Sequence, residues 1–227
     1  MALALLCVLA IALLQRQGLL EWPDEALMGW AGRLRDGAAG GSVTPLMWIV
    51  TKMGGTGNRL IVLALALGIL FWRRQRERAT WLLLTVAGGL LLNPILKHIF
   101  AAPRPDLLPH LDAVSSYSFP SGHAAGSMIL LGALAMLAGR WPAYAAALFA
   151  TVWIGVSRIW LGVHWPSDVM AGWIEGLGWL TLCRCWLPAG GGEQERLRHA
   201  LMRGHPIGGD EAMDPETVHH AERGDRQ

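Results

Sequence analysis

The sequence predicts an all-α protein: a polytopic membrane helical bundle of about six transmembrane helices, with an interfacial helix after the first. Three observations lead there. Of the 227 residues, 53% are apolar and only 16% are charged. The apolar residues come in long blocks rather than at amphipathic spacing, and a helix that is apolar all round is buried in a large protein or in a bilayer. A chain of this length cannot bury so many such helices inside itself, which leaves the bilayer. Finally, arginines crowd one short link between two apolar blocks, as cytoplasmic loops of membrane proteins do.

A membrane-spanning helix needs about 20 mostly apolar residues. Six segments are expected to supply them: 2–20, 58–72, 79–100, 121–139, 142–160 and 169–187. The first is interrupted by Gln15-Arg16-Gln17, and the second is short unless it borrows from 45–53. Between them, 21–41 mixes Trp22, Leu27, Met28, Trp30 and Leu34 with Asp24, Glu25, Arg33, Arg35 and Asp36. That mixture predicts an amphipathic helix in the outer interface with its tryptophans at headgroup level, a plain solvated loop being the alternative. The Gly54-Gly55-Thr56-Gly57 run lacks the Gly-Lys-Ser/Thr of a phosphate loop and reads as a turn into the second span.

Orientation follows from Arg73, Arg74, Arg76 and Arg78, which place the link between the second and third spans in the cytoplasm. Counting onward puts Arg140 inside and the 101–120 and 161–168 loops outside; Arg16 is a counter-signal on the outer end of the first span. The expected location is the inner (cytoplasmic) membrane, multi-pass. After residue 187 come Pro188 and a glycine triplet, so the expected domains are a membrane-embedded 1–187 and a flexible cytoplasmic tail, 188–227. His199, His205, His219 and His220 in that tail have no metal-ligand spacing.

A net charge of +2 gives no reason to expect a nucleic-acid partner. Cys7, Cys183 and Cys185 fit neither a redox CxxC nor a zinc knuckle and read as structural thiols. The N-terminus has neither a basic leader nor a small-residue cleavage site, so a removed signal peptide is not expected.

Lys97, Arg104, His123, Arg158, His164 and Asp168 all fall at the outer ends of the spans on this topology. Ionisable residues at membrane depth are costly and mark functional sites. Snorkelling to headgroups accounts for Lys97 alone, but not for two histidines and an aspartate beside three cations. Pro120-Ser121-Gly122-His123 opens the fourth span. There Ser121 can serve as N-cap, the free backbone N–H groups suit an anion, and Gly122 lets a phosphate approach the backbone. If Pro166 and Ser167 begin the sixth helix, Asp168 can reach back to His164, fixing its tautomer and leaving one ring nitrogen free to attack. Lys97, Arg104 and Arg158 supply the positive charge that phosphoryl transfer requires.

These blocks resemble the signatures of the type 2 phosphatidic acid phosphatase superfamily, of bacterial membrane type. Lys97 with Arg104-Pro105 is similar to its first signature, Pro120-Ser121-Gly122-His123 to its second, and Ser157-Arg158 with His164 and Asp168 to its third. The resemblance covers residues 97–168 closely and 1–187 more loosely. It implies a helical bundle with its site at the outer face, and a chemistry needing no metal or cofactor, shared with vanadate-binding haloperoxidases. Carried over, it implies that His164 attacks phosphorus to form a phosphohistidine and Asp168 orients it. Lys97, Arg104, Arg158, Ser121 and the Gly122 amide would hold the phosphate oxygens, and His123 would protonate the leaving oxygen.

The expected partners are therefore membrane lipids and a lipid phosphate: undecaprenyl diphosphate, phosphatidylglycerol phosphate or phosphatidic acid. The short 107–118 stretch leaves little room for a lid, which favours the first two. A phosphotransferase passing the phosphate to a lipid or sugar hydroxyl would use the same residues. A non-catalytic lipid-phosphate binding or transport protein would keep the cations, but has no need of His123, His164 and Asp168 together. Oligomeric state is left open by the sequence.

Overall fold

In the computed structural model, residues 1–38 and 40–188 are described, and they belong to one compact unit, Met1–Pro188. The expected tail histidines lie outside the described residues. The order is α1 (Ala2–Arg16), α2 (Glu21–Asp36), α3 (Gly40–Gly54), α4 (Thr56–Trp72), α5 (Arg76–Phe100), α6 (Gly122–Ala138), α7 (Trp141–Trp160) and α8 (Pro166–Cys183), with a 3-10 turn at Arg184–Trp186. Among the described residues there is no strand.

The first segment differs from expectation: α1 ends at Arg16, not at 20, and a turn with Gly18 at φ 73° leads into α2. The second expected span is α4, preceded by a separate helix, α3. The glycine run does mark the break between them, a bend of 53°. The last segment starts earlier, at Pro166, with the proline in the first turn where its missing N–H costs nothing. Among the described residues, α5 and α7 are individually long and apolar enough to cross a membrane. The number rises to four if the bent pairs α1/α2 and α3/α4 each count as one span. Helix α6 is apolar but has 17 residues, about 25 Å of rise.

α6 sits centrally, packed against α7, α8 and α5, while α1 lies on α8 and α3 on α7. Its approach to α8 depends on two glycines. A Cβ on Gly172 would stand 2.5 Å from the Ser121 carbonyl oxygen, and one on Gly176 2.8 Å from that of Ala125. Small residues at such crossings let backbones meet where no hydrophobic drive separates helix from lipid. Leu82, Ile129, Leu130 and Leu180 are buried between helices, whereas Leu84, Leu91, Ile95 and Ile99 of α5 face outward. Trp22, Trp72 and Trp141 are 80%, 83% and 77% exposed, each near a helix end.

Three hydrogen bonds fix which ends share a level. Arg78, at the start of α5, donates to the Leu137 carbonyl at the end of α6, 2.9 Å away. Lys97, near the end of α5, donates to the carbonyls of Tyr117 and Ser118, just before α6 begins. The arginine-rich link and the α6–α7 turn thus lie at one end of the bundle. Lys97, His123, Arg158 and His164 lie at the other.

Candidate active site

The end of α5 supplies Lys97, 8% exposed, whose Nζ lies 2.5 Å from the Tyr117 oxygen and 3.0 Å from that of Ser118. These bonds strap the 101–120 segment back over the helix end. On that segment Arg104 donates through Nη1 to the Val163 carbonyl (2.6 Å) and lies 3.3 Å from His164 Nε2. Its Nε donates to the Ser116 carbonyl at 2.9 Å, so the guanidinium is held by backbone rather than by a carboxylate. Arg158, near the end of α7 and fully buried, donates from Nη1 to Thr51 Oγ1 and to Asp112 Oδ2, both at 2.6 Å.

The start of α6 is joined to the start of α8 by backbone: the Ser121 N–H donates to the Asp168 carbonyl at 3.0 Å. Ser121 occupies the N-cap position but makes no side-chain cap hydrogen bond, contrary to the expected capping role. Its Oγ is buried without a hydrogen-bond partner among the described residues. Gly122 is hemmed in, since a Cβ there would lie 2.8 Å from Asn93 Oδ1. His123 packs against the α3–α4 break, where a Cβ on Gly54 would meet its Cδ2 at 3.3 Å.

His164 is 2% exposed, on the short connection from α7 to α8. Its Nδ1 is 3.4 Å from Asp168 Oδ2, longer than a good hydrogen bond, and 3.2 Å from Ser118 Oγ. Ser118 Oγ in turn donates to Asp168 Oδ2 at 2.5 Å. With its proton committed to the carboxylate, Ser118 can only accept from the imidazole. The network therefore assigns the ring proton to Nδ1 and the lone pair to Nε2. Burial first, and then Lys97, Arg104 and Arg158, hold His164 well below the usual histidine range, so the ring is neutral near pH 7. Asp112 is held below the usual carboxylate range: burial opposes this, but the hydrogen bond from Arg158 together with the positive charges of Arg158 and Lys52 outweighs it.

Asp168 has further partners. The Trp165 N–H donates to Oδ2 at 2.9 Å, and Gln15 Nε2 donates to Oδ1 at 3.1 Å and to Ser167 Oγ at 2.6 Å. Asp24 of α2 accepts from the Ser167 N–H at 2.9 Å and from its hydroxyl, serving as a cap from another helix.

A cavity of about 880 Å³ opens onto this cluster. Six of the eight expected site residues line it: Lys97, Arg104, Gly122, His123, Arg158 and His164. Ser121 and Asp168 lie behind that lining, wholly buried. The expected residues are thus brought together, with three cations around one neutral imidazole, an arrangement suited to a phosphoryl group. Sequence reasoning missed Ser118, Asp112, Thr51 and Gln15. Of these only Gln15 carried a signal, a polar side chain in an apolar run.

Residues 78–191 match the family described as the PAP2 superfamily. The chain is 32% identical over 142 residues to phosphatidylglycerophosphatase B of Bacillus subtilis, covering 56% of this chain and 67% of that protein. It is 29% identical over 143 residues to an undecaprenyl-diphosphatase of Sulfolobus acidocaldarius, covering 60% and 66%. The chain thus spans about two thirds of the length of these relatives. Among solved structures, it is similar to the transmembrane PAP2 type phosphatidylglycerolphosphate phosphatase from Bacillus subtilis, with a TM-score of 0.73 and 27% identity. That likeness covers 82% of this chain and 94% of the other.

Proposed function

The chain belongs to the PAP2 superfamily, and we propose that it is an integral membrane lipid phosphatase working through a phosphohistidine at His164. The observation that carries this reading is the orientation of that ring. Ser118 and Asp168 hold Nδ1, and Nε2 is left beside Arg104 at a cavity that Lys97 and Arg158 also line.

The reaction follows from this geometry. Nε2 attacks phosphorus, forming the N–P bond as the bond from phosphorus to the leaving oxygen breaks. His123 gives its proton to that oxygen. The imidazole gains positive charge, which the Ser118–Asp168 pair stabilises, while Lys97, Arg104, Arg158 and the amide end of α6 hold the phosphoryl oxygens. Water then attacks the phosphohistidine, giving its proton to His123, and inorganic phosphate leaves.

The substrate is a lipid bearing a phosphomonoester or diphosphate headgroup: undecaprenyl diphosphate, phosphatidylglycerol phosphate or phosphatidic acid. The cavity continues from the polar cluster along Leu60, Val86, Leu90 and Ile129, which suits entry from the membrane plane with the chain left among apolar side chains. On this reading residues 1–187 are a membrane-embedded domain crossing six times in the inner membrane, with α2 at the interface and 188–227 a cytoplasmic tail. The site then faces outward, because it lies at the bundle end opposite Arg73, Arg74 and Arg76.

The test is release of inorganic phosphate by the purified full chain from a panel of lipid mono- and diphosphates. His164→Ala is expected to abolish release. Hydrolysis persisting in that variant would overturn the phosphatase reading.

A further inference from the structure

One buried cation takes no part in the scheme above. Arg59 of α4 is 9% exposed and lines the same cavity as His123. It has no carboxylate within salt-bridge distance among the described residues. Its Nη1 donates to the Gly122 carbonyl at 3.1 Å and its Nη2 to Thr56 Oγ1 at 3.1 Å, while Nε has no hydrogen-bond partner. The guanidinium lies against Gly126, where a Cβ would stand 0.9 Å from Nη1. The bare backbone of α6 there is what admits the charge.

A buried cation with no counter-charge is expensive to keep, and a guanidinium is the side chain best shaped to bind a phosphate. Its position fits one. Arg59 bonds the residue just before His123, so it stands next to the proposed acid that protonates the leaving oxygen. The same cavity is lined by Leu60, the next residue along α4, and by Val86 and Ile129, which lie farther along α5 and α6 from the end that carries Lys97 and His123. The cavity therefore runs from three cations at the attacked phosphorus, past His123, to a fourth cation, and then to apolar side chains.

The geometry points to a second phosphate subsite at Arg59, with Thr56 beside it, which holds the phosphate that stays on the lipid when a lipid diphosphate is cleaved. The inference rests on the proposed phosphatase reading and narrows its substrate to a diphosphate. The terminal phosphate goes to His164, the bridging oxygen takes the proton from His123, and the departing lipid monophosphate is held by Arg59 with its chain in the apolar part. A lipid monophosphate has nothing to place there and leaves the guanidinium unpaired.

Farnesyl diphosphate and farnesyl phosphate, in detergent micelles with the full chain, differ only in that second phosphate. Loss of a charge-assisted contact is worth roughly ten- to a hundredfold. In Arg59→Met the ratio of kcat/KM for diphosphate over monophosphate is expected to fall by about that factor. Gly126→Ala keeps the charge but displaces the guanidinium, and is expected to lower the same ratio, so the test survives if Arg59→Met does not fold. Arg59→Lys is expected to retain part of the ratio. A ratio unchanged within about threefold in Arg59→Met and Gly126→Ala overturns the subsite, whether both rates fall together or neither does. A wild-type chain that hydrolyses neither compound, or a His164→Ala variant as active as wild type, instead overturns the phosphatase reading beneath it.

Discussion

Replacing Ser118 by alanine isolates how His164 is oriented. The imidazole and Asp168 are 3.4 Å apart, and the serine hydroxyl bridges them, 3.2 Å from Nδ1 and 2.5 Å from Oδ2. As Nε2 attacks, the ring becomes cationic and its Nδ1–H becomes a charged donor. A hydrogen bond to a charged group contributes about 1.5–3 kcal/mol, and 1.36 kcal/mol is tenfold in rate, so about ten- to a hundredfold should be lost. The charge exists only after attack begins, so the loss should fall on kcat with KM nearly unchanged. The fold should survive, because Asp168 keeps the Trp165 N–H at 2.9 Å and Gln15 at 3.1 Å. The backbone bond from Ser118 N–H to the Ala102 carbonyl does not involve the side chain at all. The assay is single-turnover phosphate release, paired with thermal unfolding. A folded Ser118→Ala protein whose kcat stays within about threefold of wild type would refute the bridging argument.

The depressed basicity of His164 has a direction in pH. Because burial and the three cations disfavour its protonated form, the neutral nucleophile persists on acidification, and the acid limb of kcat/KM set by this group should lie below pH 6.5; a limb centred at or above that value would count against it. Asp24→Ala removes the cap on Ser167 and should cost about 1–2 kcal/mol, read as a lowered Tm in detergent, and an unchanged Tm would contradict it. Gly172→Ala pushes a methyl to within 2.5 Å of the Ser121 carbonyl and should destabilise by about 1–3 kcal/mol while slowing turnover, because the Ser121 N–H is bonded to the Asp168 carbonyl and a displaced Ser121 disturbs that link. Wild-type Tm and kcat in that variant would show that α8 can shift freely.

The residues legible in the sequence were those whose spacing along the chain reflects one local element. Pro120 to His123 fall at one helix start, and His164 and Asp168 lie four residues apart just before and within the first turn of α8, so a pattern exposed them. Composition likewise exposed the apolar helices and the glycine break before α4. The residues that hold the site in place come from elsewhere in the chain: Thr51 and Asp112 on Arg158, Ser118 between His164 and Asp168, Asp24 on Ser167. Their spacing reports no such contact, because packing between helices, not periodicity within one, brings them together. Ser121 shows the opposite failure. Its type and position predict a cap, yet its hydroxyl makes no such bond.

In the sequence Gln15 interrupts the first apolar span, and in the folded chain it is the point where α1 touches Ser167 and Asp168. That makes the first helix a gauge as well as an anchor. Each residue of an α-helix advances about 1.5 Å and turns about 100°, so one residue inserted before Gln15 would swing the amide off Asp168 while leaving the hydrophobic length intact. A generic apolar helix in its place could still seat the protein in lipid. Activity would return only if a side chain able to donate to the carboxylate came back in the same phase.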